Sequence, residues 1–244
     1  MKILVVDDEP LARQRLATQL GDLDIGTEVR EAENGLDALS RLENFAAEIV
    51  LLDIRMPGMD GLETARHLAL MEPVPAVIFT TAYDEHALAA FEAQAVAYLL
   101  KPVRREKLAD AIERARALRA GHEAIAVAVG DELGTRTHVS AMVGGNLNLM
   151  PLSAVCYFQA DQGYVSAVAP DSRLLIEDSL RSLEQEFGDD FVRVHRNALV
   201  NVRHVDSLRK DAGGNIAVVF KQLEEQLLVS RRLVAGVRKR LQQS

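Results

Sequence analysis

The sequence predicts two unlike domains: an α/β doubly wound domain on a five-stranded parallel sheet, then a mostly antiparallel β domain. Three observations carry this. Over residues 1–120, five short apolar runs alternate with amphipathic stretches. From about residue 137, short β-rich pieces crowd together, punctuated by glycine, aspartate and proline. The charge also changes sign along the chain. Residues 1–120 carry 14 basic and 21 acidic side chains, 121–190 carry 3 and 11, and 191–244 carry 11 and 4. A length of 244 residues suits two domains of ~100–150 residues each.

The first 120 residues read as five βα units. Apolar runs at 3–6, 49–52, 76–79 and 96–100, with a more polar one at 27–31, are short and rich in valine and isoleucine. Continuous runs of that kind suit strands buried on both faces of a parallel sheet. Amphipathic stretches at 10–20, 35–43, 61–71, 85–93 and 105–119 lie between and after them. Leu11, Leu16 and Leu20 fall near helical spacing in the first, and Leu108, Ile112 and Ala115 in the last. Such alternation builds a doubly wound domain.

Composition narrows the class. Cys156 is the single cysteine, which excludes an internal disulfide framework and points to a reducing compartment. No run approaches the ~18 apolar residues that span a bilayer. The opening Met1-Lys2-Ile3-Leu4-Val5-Val6 is shorter than a signal-peptide core and ends in two aspartates, so it reads as a buried strand. A cytoplasmic protein with no membrane association is expected. A net charge of -8 and a pI near 5.3 argue against a nucleic-acid partner only if the charge is evenly spread, and the basic last block shows that it is not.

Topology predicts where chemistry sits. Ligands of open parallel sheets bind beyond the carboxyl ends of the strands, near the point where strand order reverses. Asp7 and Asp8 follow the first run, Asp53 the third, Thr81 the fourth and Lys101 the fifth. A lone aspartate at a strand end is commonly a helix cap, but five suitable groups at four strand ends describe a site. Its carboxylates repel one another and need a cation, either Lys101 or a divalent metal. Oxygen-only donors favour Mg²⁺ over zinc. An acidic nucleophile, a hard metal, a hydroxyl and a lysine equip a site for phosphoryl transfer to a carboxylate. Asp53 is the expected phosphoacceptor, Asp7 and Asp8 hold Mg²⁺ with it, and Thr81 and Lys101 bind phosphate oxygens.

These residues carry a resemblance. Val5-Val6-Asp7-Asp8-Glu9-Pro10, Leu51-Leu52-Asp53-Ile54-Arg55-Met56-Pro57-Gly58-Met59-Asp60-Gly61, Thr81-Ala82 and Tyr98-Leu99-Leu100-Lys101-Pro102 resemble the receiver domain of two-component response regulators, in order and in spacing. The resemblance implies the flavodoxin-like strand order 2-1-3-4-5, a sensor histidine kinase as phosphate donor, and the backbone carbonyl of Arg55 as a further Mg²⁺ ligand. It also implies a switch. On phosphorylation Thr81 moves toward the phosphate and Tyr98 turns inward, reshaping the helix at 85–93, the fifth strand and the last helix.

Residues 121–136 read as a linker, short of large apolar side chains, and 137–244 as the second domain. Pieces at 137–142, 146–149, 155–159, 163–167, 174–176, 191–194, 198–202, 205–208, 216–220 and 226–229 imply an antiparallel β domain. One helix is expected at 178–187 and an amphipathic segment at 231–241. Basic residues gather at 193–204 and 230–240, where arginine and lysine suit contacts to phosphates and base edges. No helix-turn-helix or zinc-finger spacing is visible. An enzymatic output domain finds no Gly-rich phosphate loop, nucleophile elbow or His/Cys metal spacing to support it. A protein-interaction output meeting an acidic partner is the other alternative.

Asp190-Phe191-Val192-Arg193-Val194-His195-Arg196-Asn197-Ala198-Leu199-Val200-Asn201 resembles the LytTR-type DNA-binding domain. Ala160-Asp161-Gln162-Gly163-Tyr164-Val165, Ser182-Leu183-Glu184 and Val229-Ser230-Arg231-Arg232 support it, and the whole chain resembles the alginate-regulator branch of response regulators. The resemblance implies loops, not a helix, entering successive major grooves of double-stranded promoter DNA. Carried onto this sequence, it makes Asn201 and Arg232 the foremost contacts, with Arg231, Arg196, His195, Gln162 and Tyr164 beside them. His195 and Arg196 are alternatively a pair bracing the sheet. The expectation is a non-enzymatic, phosphorylation-regulated transcription regulator. It forms a homodimer on activation, binds paired promoter sites and has RNA polymerase as a further partner.

Overall fold

The computed structural model describes residues 1–23, 25–82, 96–120, 136–161, 163–210 and 214–242. The chain divides into two compact units, one essentially the first 134 residues and the other essentially the remainder. The helix expected at 85–93, nearly all of the linker expected at 121–136, and Gln162 lie outside the described residues.

In the first unit β1 (Lys2–Val6), β2 (Glu28–Ala32), β3 (Ile49–Asp53), β4 (Ala76–Thr81) and β5 (Ala97–Leu100) form one parallel sheet in the order β2-β1-β3-β4-β5. Every residue of β3 and β4 is buried, which is why those runs are apolar without alternation. The polar run became the edge strand β2. Around the sheet stand α1 (Pro10–Asp22), α2 (Gly35–Leu42), α3 (Gly61–Leu68) and α4 (Arg105–Ala120). Leu16 and Leu20 of α1, with Leu108 and Ile112 of α4, pack on Ile3, Val5, Ile49 and Leu51. Leu11 departs from expectation and is 80% exposed. Five residues from Leu16, it is turned about 140° away around the helix. Asn34 and Asp60 cap α2 and α3, accepting from the Asp37 N–H at 2.9 Å and the Glu63 N–H at 2.7 Å.

In the second unit all ten expected strands form, with ends within two residues of expectation. β6 (His138–Val143) and β7 (Asn146–Pro151) make a hairpin. β8 (Tyr157–Asp161), β9 (Tyr164–Ala169), β10 (Ser172–Ile176), β11 (Phe191–His195) and β12 (Ala198–Asn201) make an antiparallel sheet in the order β10-β9-β8-β12-β11. β13 (Val205–Lys210), β14 (Ile216–Phe220) and β15 (Gln226–Val229) make a third sheet. The five-stranded sheet is the middle layer. One face sets Phe158, Leu174, Phe191 and Leu199 against Val139 and Met150 of the hairpin and Leu180 and Leu183 of α5 (Leu180–Glu186). The other sets Tyr157, Val168 and Val194 against Val218 and Val229 of the third sheet and Val237 of α6 (Val234–Gln242). Cys156 is buried in that second layer. The terminal helix starts three residues later than expected because the Leu233 N–H turns back to the Ser230 carbonyl at 2.8 Å. Arg231 and Arg232 are thereby left in a turn.

Gly61 opens α3 where the chain doubles back on β3. Its N–H donates to the Ile54 carbonyl at 2.9 Å, and a Cβ there would lie 1.9 Å from the Asp53 carbonyl oxygen. Gly61→Ala must therefore displace the end of β3, and urea unfolding is expected to show a loss of ~2 kcal/mol or more. Gly21→Ala meets nothing within 4 Å and leaves the midpoint unchanged or slightly raised.

Candidate functional site

Strand order reverses at β1, whose neighbours are β2 and β3. Asp7 follows β1 directly and Asp53 ends β3, so both stand at the crevice where ligands of such sheets bind. Asp7 is fully buried and Asp53 nearly so, while Asp8 is exposed. One carboxylate oxygen from each of the three lies within 4.8 Å of the others. Lys101, the residue after β5, is held beside the end of β4 by its N–H, which donates to the Thr81 carbonyl at 2.7 Å. Its Nζ sits 2.7 Å from Asp53 Oδ2 and 2.7 Å from Asp7 Oδ2. Asp7 Oδ1 also accepts from the Glu9 N–H at 3.0 Å, and Asp53 Oδ1 from the Arg55 N–H at 3.4 Å.

Burial is the largest influence on Asp53 and pushes its carboxyl above the ordinary aspartate range. The Lys101 hydrogen bond and charge oppose the rise, and the charge of Asp7 adds to it. For Lys101 burial alone would lower the pKa, but hydrogen bonds to Asp53 and Asp7 outweigh it and the value is raised. One ammonium against three carboxylates leaves the cluster negative, with Asp8 open to solvent. An oxygen-only donor set of this kind fits a hard divalent cation.

Thr81, the last residue of β4, is buried. Tyr98 is half-buried in β5 and stacks on Phe79 across the register, ring centroids 5.4 Å apart. The structure thus brings Asp7, Asp8, Asp53 and Lys101 into one cluster and sets Thr81 at the adjoining strand end.

In the second unit, antiparallel register sorts the basic residues. Ala198 pairs with Gln159 and Asp161 with Tyr164, so the β8–β9 and β11–β12 turns share one end of the five-stranded sheet. The Ser230 N–H donates to the Val194 carbonyl at 2.8 Å, which brings Arg231 and Arg232 to that end. Lys210 pairs with Ile216, and Ile216 with Val229, so Lys210 arrives there as well. Tyr164, Arg196, Arg231, Arg232 and Lys210 are all exposed. Among the described residues, none of these four cationic side chains forms an ion pair. His195 is half-buried, with Nδ1 hydrogen-bonded to Asn197 Oδ1.

Two expectations need correction. Asn201 lies at the far end of β12, about 10 Å of strand from Ala198, and is only 2% exposed. Its Nδ2 donates to the Val155 carbonyl at 3.0 Å and the Leu152 carbonyl at 3.4 Å, while Oδ1 accepts from the Arg203 N–H at 3.1 Å. Its amide is spent on the fold, which does not suit the exposed contact expected of it. The bracing arginine is Arg193, not Arg196: its guanidinium meets Glu184 Oε2 at 2.8 and 3.0 Å. Arg193 lies two residues from the buried Phe191, so strand period 2 points it toward α5, a signal present in the sequence. Lys210 had no such signal, since only the register of β13 to β15 places it.

In metal-free protein, carbon NMR of the Asp53 carboxyl is expected to show a titration midpoint above the ordinary aspartate value of ~3.9. Lys101→Gln removes the opposing cation and should move that midpoint higher still.

Residues 3–113 match the response regulator receiver domain and residues 145–242 the LytTr DNA-binding domain. The chain is 47% identical to the Positive alginate biosynthesis regulatory protein of Pseudomonas aeruginosa, with 100% of each chain covered. It is 36% identical to an uncharacterized response regulatory protein of Vibrio cholerae over 94% of each chain. It is 28% identical to the Sensory transduction protein LytT of Bacillus subtilis over 99% of each. With the parallel sheet in the first unit and the layered antiparallel sheets in the second, these matches make the chain a member of the response regulators that join a receiver domain to a LytTr DNA-binding domain, transcriptional regulators of two-component systems.

Proposed function

We propose that the receiver accepts a phosphoryl group on Asp53 from a sensor histidine kinase, and that this controls promoter binding by the second unit. The observation that supports this most is Lys101 Nζ, seated between Asp53 and Asp7 beside a third carboxylate at the reversal of the sheet. An Asp53 oxygen attacks phosphorus, the bond to the donor histidine nitrogen breaks, and an acyl phosphate forms. Lys101 already grips the attacking carboxylate and is placed to hold a phosphoryl oxygen, with the Thr81 hydroxyl holding another. Asp7, Asp8, Asp53 and the Arg55 carbonyl would hold Mg²⁺, which would supply the charge neutralisation that lets two anions approach.

The added phosphate charge then draws Thr81 inward, and Tyr98 follows through its packing on β4. The switched receivers, residues 1–120, form a homodimer. Through linkers at 121–136 they bring two domains of residues 137–244 to paired sites, each raising the effective concentration of the other. Arg196, Arg231, Arg232 and Lys210 contact DNA phosphates and base edges, and Tyr164, His195 and Gln162 are further candidate contacts. Each kinase event leaves one adduct, so the chain acts as a regulator rather than an enzyme, in the cytoplasm where promoter DNA and RNA polymerase are. The similarity to a protein described as a positive regulator favours activation over repression.

Incubation with a small phosphodonor and Mg²⁺ is expected to add one acid-stable, base-labile phosphoryl group by intact mass. Chelating the metal or substituting Asp53→Asn should abolish it. Labelling that persists undiminished in Asp53→Asn contradicts the assignment.

A further inference from the structure

The turn at residues 195–197 carries the exposed Arg196 and is fixed from several directions. The β11–β12 register slips between Arg193 and His195, a bulge of the kind that bends a strand and re-aims its side chains. The Asn197 carbonyl accepts from the Ala160 N–H at 2.9 Å, and the Val194 carbonyl from the Ser230 N–H at 2.8 Å. The remaining hold is a side chain. While Nε and Nη2 of Arg193 grip Glu184, its Nη1 donates to the Arg196 carbonyl at 3.0 Å. Nη2 also reaches the Leu180 carbonyl at 3.4 Å. Glu184 belongs to α5, which is itself anchored by Arg136, 2.9 Å from Glu186 and 2.6 Å from Asp178. Only 20% of the Arg193 side chain is exposed, and its donors face protein oxygens.

We infer that Arg193 is a positioning residue for DNA recognition, a strut from α5 to the Arg196 carbonyl that aims Arg196 without itself touching DNA. The inference rests on the reading of this turn as a DNA contact. The ion pair with Glu184 taken as a charge pair is worth little at a part-exposed site. What distinguishes it is the planar fork, which binds a carboxylate with two nitrogens and leaves the third for a carbonyl. Without the tether the turn must be ordered on binding, which weakens affinity, but the number of phosphates neutralised does not change. A strut and a phosphate contact therefore differ in salt dependence.

The test uses the full chain, a duplex selected from a random pool for tight binding, and an unrelated duplex of equal length, titrated over salt. Arg196→Gln is expected to weaken binding and reduce the slope of log affinity against log salt by ~1. Arg193→Gln and Glu184→Gln should each weaken the selected duplex roughly tenfold while leaving the slope and the unrelated duplex unchanged. Glu184→Gln removes the pair from its more exposed side, so the test does not hang on Arg193→Gln folding. A slope reduced by ~1 in Arg193→Gln means a direct phosphate contact and overturns the inference. So does unchanged affinity, and so does equal weakening of both duplexes, which marks general damage to the domain. If Arg196→Gln binds like the parent, the reading of the turn fails and the strut falls with it.

Discussion

Carboxylates gathered at one strand edge repel each other, and Lys101 between Asp53 and Asp7 is what makes the gathering tenable. Two like charges ~4 Å apart near a protein surface cost on the order of 4 kcal/mol, so an ammonium 2.7 Å from both changes the sign of the local balance. Much of the receiver serves that arrangement. β1, β3 and β5 deliver its members in parallel from the same edge, and the Lys101 N–H on the Thr81 carbonyl sets the height of the lysine. The lack of a side chain at Gly61 lets α3 start against the Asp53 backbone. Residual negative charge and one exposed carboxylate leave the cluster open to a hard cation.

The second unit solves a different electrostatic problem. It collects cations at one end of a β sandwich, from segments that are far apart in sequence. Antiparallel pairing does this: the turn at 195–197, the turn ending at Tyr164, Lys210 and the Arg231–Arg232 turn reach the same end because their strands alternate in direction. Arg203 at the opposite end is paired with Asp190 at 2.9 Å, whereas Arg196, Arg231, Arg232 and Lys210 form no ion pair among the described residues. The whole-chain charge of -8 averages these two surfaces and describes neither.

Much of this was legible in the sequence, for physical reasons. Strands buried on both faces must be continuous apolar runs, so β3 and β4 stood out. Residues at their carboxyl ends then converge by topology alone, which made Asp7, Asp8, Asp53, Thr81 and Lys101 readable from the sequence. What failed depended on geometry that local pattern does not encode. Leu11 looked inward by loose spacing, yet sits on the outer side of α1. Asn201 lay in the sharpest motif of the second domain, but register puts it at the wrong end of β12 and burial occupies its amide. Arg193 and Arg196 are three residues apart, and only the bulge and the position of Glu184 decide which braces and which is exposed.

The proposed function requires that charge placed on Asp53 be felt by the DNA-binding domain of the same chain. The most direct measurement is the affinity of the full-length protein for a selected duplex, with and without beryllofluoride and Mg²⁺ as a phosphoryl mimic. The expected result is an affinity gain of tenfold or more that disappears in Asp53→Asn, consistent with linked binding at paired sites. Equal affinity in both states, with the mimic demonstrably bound, would contradict it.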